Sequence, residues 1–413
     1  MSQTKPPEMR APRVLACCGG MVTPTGAERM TFEVLAVLRE RGAAVHCVLN
    51  DWANDQIIPM AERIGATWSA AGYSVRFDRH TRDPRVILRQ TWDVLRTSGH
   101  LLKQAIRFRP THVLVPEHVT VIRNAPALVV LRLLGIPCVM RLCNAPDPML
   151  FYRWLWRWMI NPLVSHFVCN SRFTRGELLD CGISPVKVSL IANVRPSRAE
   201  TQQDVTRDSR KVIFVGQVIP PKGLHVLLDA VSLLAERGVD VSLDVIGRMD
   251  GWLSPVYGDY WVRLRERVAT PDLVGRVRLL GWRDDVDALL RAAAIHCCPS
   301  MPEQRESFGI VVLEAKAAGL PSVVFPSGGL SETVTHGVDG WLCPEPTAAA
   351  LAEGLQYFLQ DTERLARAGL EARRSTVRYG RDVFDAAWWS LLSGAAWPPA
   401  DDPMASAATA NEV

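Results

Sequence analysis

Hydrophobic and polar positions along this chain alternate between two periods. Short apolar runs of strand length recur at residues 13–18, 43–49, 112–116, 137–142 and 167–171, and again at 212–216, 241–247, 277–282, 295–300 and 322–325. Between them lie segments with helical spacing, at 27–39, 173–179, 224–237, 286–293 and 310–318, and three more follow at 347–359, 362–374 and 382–392. Buried strands alternating with amphipathic helices predict parallel sheets covered by helices on both faces. Residues 195–210 carry almost no apolar side chains and break the pattern. The predicted organisation is therefore an α/β chain of two doubly wound domains, residues 1–198 and 211–375, joined by a linker at 199–210. The Pro/Ala/Asp-rich stretch 395–413 is expected to be a disordered tail. A chain of 413 residues is too long for one ordinary core, which agrees with two.

One stretch is denser in chemistry than the rest. Ser307, Phe308 and Gly309 lead into the apolar run Ile310-Val311-Val312-Leu313, which continues through Glu314 and Lys316 to Gly319 and Pro321. This reads as a short helix with stop signals at its C-terminus. Glu306 stands just before the helix and Glu314 inside it, about 12 Å apart if the whole segment were helical. A helix N-terminus between two such carboxylates suits an anion. Taken singly the parts are ordinary: a Glu at a helix start complements the dipole on a surface, and Gly328-Gly329 is a turn. Upstream, the strand ending at Gly216 is followed by Gln217 and then by Pro220-Pro221-Lys222-Gly223 before a helix. A lysine at that turn is placed to meet a phosphate, or equally to be a solvated cap.

The combination Glu306-x7-Glu314, with Ser307-Phe308-Gly309 behind the first Glu and Gly328-Gly329-x-x-Glu332 downstream, resembles the signature of family 4 retaining glycosyltransferases. That resemblance implies the GT-B fold: two Rossmann-like domains facing each other across a cleft, with a C-terminal helix, here 376–394, crossing back to the first. It implies that Glu306 contacts the transferred sugar, that Glu314 holds the nucleotide ribose, and that the backbone around Ser307, Phe308 and Gly309 contributes to the donor phosphate site. Gly216, Gln217 and Lys222 match the turn that in the family carries an Arg and a Lys against the diphosphate. Lys222 matches the Lys, while Gln217 stands where the Arg is expected and removes one positive charge. Pro24-Thr25-Gly26-Ala27-Glu28 resembles the family's Gly-Gly-Ala-Glu loop, with Thr25 replacing the first Gly and Gly26 retained as a donor-side candidate.

In the first half, a strand leads directly into Glu117-His118. A polar pair at a strand end points to a ligand in a doubly wound domain, or forms a hydrogen-bonded loop pair. Members of the resembled family often place a His or an acid near this point, and that resemblance makes His118 the catalytic candidate, with Glu117 and Asn144 as acceptor-side candidates. No G-x-G-x-x-G or Walker motif follows a strand, so nicotinamide and P-loop chemistry lack their main evidence. No Asp-x-Asp metal motif lies near the proposed site, so neither metal nor other cofactor is expected beyond the nucleotide-sugar substrate.

Charge divides unevenly. Residues 1–198 hold 26 Lys/Arg against 14 Asp/Glu, and residues 199–413 hold 21 against 29, which makes the halves +12 and −8 within a net +4. The first half therefore suits an anionic partner. Within it, the stretch 76–109 interleaves arginines with Leu88, Trp92 and Leu95, and 151–160 reads FYRWLWRWMI. Each is either a helix packed on the sheet or a surface for an anionic membrane. No apolar run reaches membrane-spanning length, Leu128 to Val139 being interrupted by Arg132. Ten cysteines without CxxC spacing, several of them in apolar runs, point to buried thiols in a reducing compartment. The expected location is the cytoplasm, with the inner face of the cell membrane as a docking surface, and no nucleic-acid partner is expected.

The resemblance implies transfer of a sugar, with retention, from a nucleotide-diphosphate donor to an acceptor hydroxyl, expected on a lipid-linked glycan or a polysaccharide precursor. Two alternatives stay open: a catalytically weak scaffold that binds nucleotide sugar beside another glycosyltransferase, for which Gln217 speaks, and a sugar-nucleotide epimerase on the same fold.

Overall fold

The computed structural model describes residues 11–73, 83–195, 206–249 and 254–394. The chain divides into two compact units. The first comprises residues up to Asn170, Thr174–Val194 and the C-terminal segment from Arg381; the second comprises Ser171–Phe173 and Arg195–Gly380.

The first unit holds seven strands: β1 (Arg13–Cys17), β2 (Ala44–Asn50), β3 (Thr67–Ala71), β4 (His112–Val115), β5 (Cys138–Arg141), β6 (His166–Cys169) and β7 (Val188–Leu190). They form one sheet in the order β3-β2-β1-β4-β5-β6-β7, every pair parallel. The second unit holds β8 (Lys211–Val215), β9 (Ser242–Ile246), β10 (Val277–Gly281), β11 (Ile295–Cys298), β12 (Ser322–Val324) and β13 (Gly340–Leu342). Their order is β10-β9-β8-β11-β12-β13, again parallel throughout. Both units are thus Rossmann-like. In each, strand order reverses beside the first strand, between β1 and β4 in one and between β8 and β11 in the other. Ligands of such sheets bind beyond the C-terminal strand ends at that reversal, because the two flanking connections leave on opposite faces and open a crevice.

Local chemistry explains most element ends. The helix Gly26–Glu40 starts with the Glu28 carboxylate accepting from the N–H and hydroxyl of Thr25, and Gly42 follows its end at φ +89°. The basic stretch becomes one long helix, Pro84–Phe108, in which Asp83 accepts from the Arg85 N–H at 2.9 Å and Arg109 closes the end at φ +50°. Arg76, Arg79, His80 and Arg82 lie outside the described residues. The helix Arg381–Ser393 docks on the helix Gly26–Glu40 of the first unit, where Arg381 pairs with Glu33 at 2.9 Å and with Glu40 at 3.0 Å. The tail expected at 395–413 and most of the linker lie outside the described residues.

Three elements depart from the periodicity. Residues 248–260 are not a continuous loop, since the described part includes the helices Ser254–Tyr257 and Tyr260–Val268. Strand β3 has no apolar alternation to announce it and is an edge, exposed along most of its length. The Trp-rich segment is an α-helix, Leu150–Leu155, that passes into a π-helical turn, Trp156–Ile160. The wider turn buries Tyr152, Leu155, Trp156 and Ile160 and leaves Phe151, Trp154 and Trp158 exposed. The packing reading therefore holds for the buried face of that segment. All ten cysteines are free thiols, nine of them buried and Cys143 half-buried.

Candidate functional site

The strand ends at the two reversals carry the sequence-nominated residues. In the second unit, β8 runs into Gly216, whose N–H donates to the Ile246 carbonyl at 3.0 Å. The chain then makes a 3-10 turn, Pro220–Lys222, closed by Gly223 at φ +69° before the helix Leu224–Glu236. Glycine is required at 223, since a Cβ there would stand 1.9 Å from the Pro299 carbonyl oxygen. The same contact presses the Lys222 turn onto the end of β11, and the Met301 N–H locks it by donating to the Pro221 carbonyl at 2.8 Å.

That placement brings Lys222 to Glu306. The Lys222 ammonium forms an ion pair with Glu306 Oε1, and the Ser300 hydroxyl donates to the same oxygen at 2.9 Å. The pair is half-enclosed, its side chains 21% and 14% exposed. Burial by itself pulls the Lys222 ammonium down, but the Glu306 charge, Cys298 and the hydrogen bond to Glu306 outweigh it, so its pKa stands above the ordinary lysine value. Burial and Glu306 push the Cys298 thiol up to about 11, so it stays protonated beside them.

Glu306 stands before the helix, as the sequence reading placed it, and the segment between Glu306 and Glu314 is not wholly helical. Arg305 is left-handed at φ +51° and Gly309 at φ +84°, so the helix begins only at Ile310 and runs to Ala317. Glu306 instead sits in a loop gripped by the Gly328-Gly329 turn. The Gly329 N–H donates to the Glu306 carbonyl at 2.7 Å, and the Ser327 hydroxyl accepts from the Glu306 N–H at 3.4 Å while donating to the Met301 carbonyl at 2.9 Å. A Cβ on Gly328 would lie 2.4 Å from the Glu306 carbonyl oxygen, and one on Gly329 2.4 Å from that of Ser307. The double glycine is thus a close-approach device that sets the Glu306 backbone.

Of the remaining donor-side residues, Ser307 and Glu314 are half-buried, Glu314 one turn inside the helix. The Phe308 side chain is buried edge-on to Tyr379, with centroids 5.6 Å apart, so only its backbone is available to a ligand. Gln217 is half-buried just beyond Gly216.

In the first unit, Gly26 is the first residue of the helix that follows β1. The preceding Gly19-Gly20 is packed tightly: a Cβ on Gly20 would lie 2.4 Å from Glu117 Oε1, and one on Gly19 2.0 Å from the Tyr73 ring. Glu117 caps the helix His118–Arg123 that follows β4, and the Thr120 hydroxyl donates to its carboxylate at 3.3 Å. The His118 ring rests 5.7 Å from that of Trp156. Asn144 is exposed just past β5, the neighbour of β4. The structure therefore gathers Gly26, Glu117, His118 and Asn144 at the C-terminal ends of three adjacent strands. It gathers Lys222, Glu306 and the helix start at Ile310 at those of β8 and β11. Among the described residues, no three His, Cys, Asp or Glu side chains are grouped to hold a metal ion.

Sequence reading missed two supporting groups. Lys316 and Asp339 are both buried, 0% and 3% exposed, and paired at 2.6 Å, with Ser375 accepting from Lys316 at 3.3 Å and the Thr335 N–H donating to Asp339 at 2.8 Å. Desolvation pulls Lys316 down to about 8, against the pull of Asp339. The signal was present, because a lysine inside an apolar helix stripe requires a buried partner. Glu332, named only as part of the motif, accepts from the N–H groups of Arg172 and Phe173 at 2.8 and 2.6 Å. Nothing local in the sequence points to that pairing.

Both units are similar to known proteins. The family described as glycosyl transferases group 1 matches residues 197–375, and glycosyltransferase family 4 matches residues 24–194. A phosphatidyl-myo-inositol mannosyltransferase of Mycolicibacterium smegmatis is 34% identical over 190 residues, 45% of this chain and 44% of that protein. The amylovoran biosynthesis glycosyltransferase AmsK of Erwinia amylovora is 28% identical over 210 residues, 49% of each. The chain thus aligns with about half the length of these relatives. Among solved structures, Anabaena HepE in complex with UDP-glucose superposes with a TM-score of 0.73 at 20% identity, covering 93% of this chain and all of that one, which establishes the shared fold. With both units matched by their respective family profiles and the whole described fold shared with a GT-B protein, the chain belongs to the family 4, group 1 glycosyltransferases.

Proposed function

We propose that this protein is a retaining glycosyltransferase that moves a sugar from a nucleotide-diphosphate donor to an acceptor hydroxyl on a lipid-linked glycan or polysaccharide precursor. The observation that carries the reading is the Lys222–Glu306 pair, held with Ser300 at the strand-order reversal of the second unit. Relatives named for a mannosyl transfer to phosphatidyl-inositol and for amylovoran biosynthesis, and a structural neighbour bound to UDP-glucose, support the donor and acceptor classes.

Departure of the diphosphate breaks the anomeric carbon–oxygen bond and places negative charge on the leaving oxygen while the sugar gains oxocarbenium character. On the second unit, Lys222 and the helix start at Ile310 are the groups that would stabilise the departing charge. Glu306 would orient the sugar and favour its positive charge. The acceptor oxygen then bonds to the anomeric carbon on the face the diphosphate leaves, and its proton passes to the departing phosphate. His118 and Glu117 stand on the acceptor side. No metal enters this scheme.

A membrane-bound acceptor is supported by one surface of the first unit. The helices Pro84–Phe108, Ala125–Leu133 and Leu150–Leu155 and the turn Trp156–Ile160 pack on a common core through residues such as Leu101, Leu131, Tyr152 and Trp156. Their outer faces expose Leu88, Trp92, Leu133, Phe151, Trp154 and Trp158 among arginines. Aromatic and basic residues together suit an anionic interface. No helix among the described residues is long and apolar enough to cross a membrane.

The test is turnover with UDP-, GDP- and ADP-sugars against lipid-linked acceptors, comparing wild type with Lys222→Ala and Glu306→Gln. Each substitution should lower kcat by about 10²-fold or more. Wild type that binds donor and transfers nothing over the panel would favour the scaffold reading, and a new epimer formed without acceptor the epimerase. Binding to anionic but not neutral vesicles, reversed by salt, tests the surface.

A further inference from the structure

The short segment Ser171–Phe173 belongs to the second unit although it follows β6 in sequence. It lies directly against the double glycine that sets the Glu306 backbone. A Cβ on Gly328 would stand 2.8 Å from Phe173 Cε1, and one on Gly329 3.1 Å from Ser171 Oγ. The Phe173 ring also carries the Arg305 guanidinium, 5.4 Å from its centroid. Arg305 immediately precedes Glu306 and is left-handed at φ +51°. A residue other than glycine keeps that conformation only where its surroundings over-determine it, and the stacked Phe173 ring is one such constraint.

The segment is itself pinned. Glu332, three residues past Gly329, accepts from the N–H groups of Arg172 and Phe173 at 2.8 and 2.6 Å, one on each carboxylate oxygen. Bonds to an ionised acceptor are short and strong, and two of them on consecutive N–H groups fix both the place and the direction of the backbone. The contacts close a circuit. Glu332 holds Phe173, Phe173 bears on Gly328 and Arg305, and the Gly329 N–H holds the Glu306 carbonyl at 2.7 Å. From the loop so enclosed, the Glu306 carboxylate reaches Lys222 and Ser300.

We propose that Phe173 and Glu332 are positioning residues for Glu306, fixing the loop from which its carboxylate meets Lys222, Ser300 and the donor sugar. This rests on the donor-site reading above. Without either residue, Arg305 and the Gly328-Gly329 turn relax and the Glu306 carboxylate loses its aim at the sugar. Lys222 then keeps its charge and loses a competing carboxylate, so its attraction for a diphosphate does not fall.

The experiment measures turnover of the UDP-, GDP- or ADP-sugar that wild type uses and titrates the matching nucleoside diphosphate. The variants are Glu332→Gln, Phe173→Leu and Phe173→Tyr, with Glu332→Gln repeated on a Glu306→Gln background. Glu332→Gln replaces one accepting oxygen by an amide nitrogen that cannot accept, at nearly constant volume, and it carries the test if Phe173→Leu unfolds. Glu332→Gln and Phe173→Leu should each lower kcat about 10- to 100-fold without weakening the nucleoside diphosphate. Phe173→Tyr keeps the ring and should lose less than Phe173→Leu. Because the effect passes through Glu306, Glu332→Gln should cost less than about twofold on the Glu306→Gln background. Wild-type kcat in both variants, an equal loss of diphosphate affinity, or the full loss repeated on the Glu306→Gln background overturns this proposal alone. Wild type that turns over none of the donors overturns it together with the donor-site reading.

Discussion

Removing the Lys316 ammonium isolates a buried charge and gives the most quantitative prediction. In Lys316→Met the apolar stem is kept, so little cavity forms, but Asp339 loses its 2.6 Å partner while remaining buried. Among the described residues, only the Thr335 N–H, at 2.8 Å, still bonds its side chain. Breaking a buried pair by deleting one member costs about 3–5 kcal/mol, because the survivor is an uncompensated charge. Replacing both members with apolar groups of similar size removes that penalty, so Lys316→Met/Asp339→Leu should recover most of the loss. The pH dependence has a definite sign. Desolvation lowers the folded Lys316 pKa to about 8, so the cost of holding it charged is full below about pH 8 and is relieved as pH rises through 8 towards the ordinary lysine range, a dependence that Lys316→Met should lack. Urea unfolding, with hydrogen exchange in the helix Ile310–Ala317 reporting the second unit, measures both effects. A single variant that loses less than about 1 kcal/mol, or a double variant no more stable than the single, would refute the reasoning.

Further outcomes follow from other contacts. Gly329→Ala places a methyl 2.4 Å from the Ser307 carbonyl oxygen and displaces the Glu306 loop, so kcat should fall by about 10²-fold with the fold retained by circular dichroism. Gly223→Ala meets the Pro299 carbonyl at 1.9 Å in a left-handed conformation, and it should lower the unfolding midpoint as well as donor affinity. Burial raises the Glu33 pKa against the pull of Arg381, and raises that of Asp385 likewise. Acids with raised folded pKa values destabilise above their unfolded values, so lowering pH from 7 towards 5 should stabilise the docking of the helix Arg381–Ser393, and more so in Arg381→Ala, as read by hydrogen exchange in that helix. The raised Lys222 pKa keeps its ammonium charged past the ordinary lysine range, so the contribution of its pair is present at neutral pH and is lost only as strongly alkaline pH passes the folded value. Donor affinity measured from pH 6 to pH 9 should show no limb from Lys222.

Periodicity located most of the buried strands because parallel strands covered on both faces are continuous apolar runs, as Val14 to Cys17 and Val212 to Phe214 are. It passed over β3, β7 and β13, which are short edges. It also could not distinguish the two faces of the Trp-rich segment, because a π-helical turn shifts the spacing that sequence reading assumes.

What the sequence determined by itself was the identity of the candidate donor-site residues and the order of the elements. Lys222, Glu306, Glu314 and the double glycine are local facts, and strand–helix alternation suffices for two doubly wound sheets. The tertiary structure alone decided which groups meet. Lys222 reaches Glu306 across 84 residues because β8 and β11 are neighbours, and Lys316 finds Asp339. Charge and hydrogen-bond energies depend on separations of a few ångströms, and in a parallel sheet those separations are set by strand order and register. Both are properties of distant segments packed together, and no window of local sequence contains them.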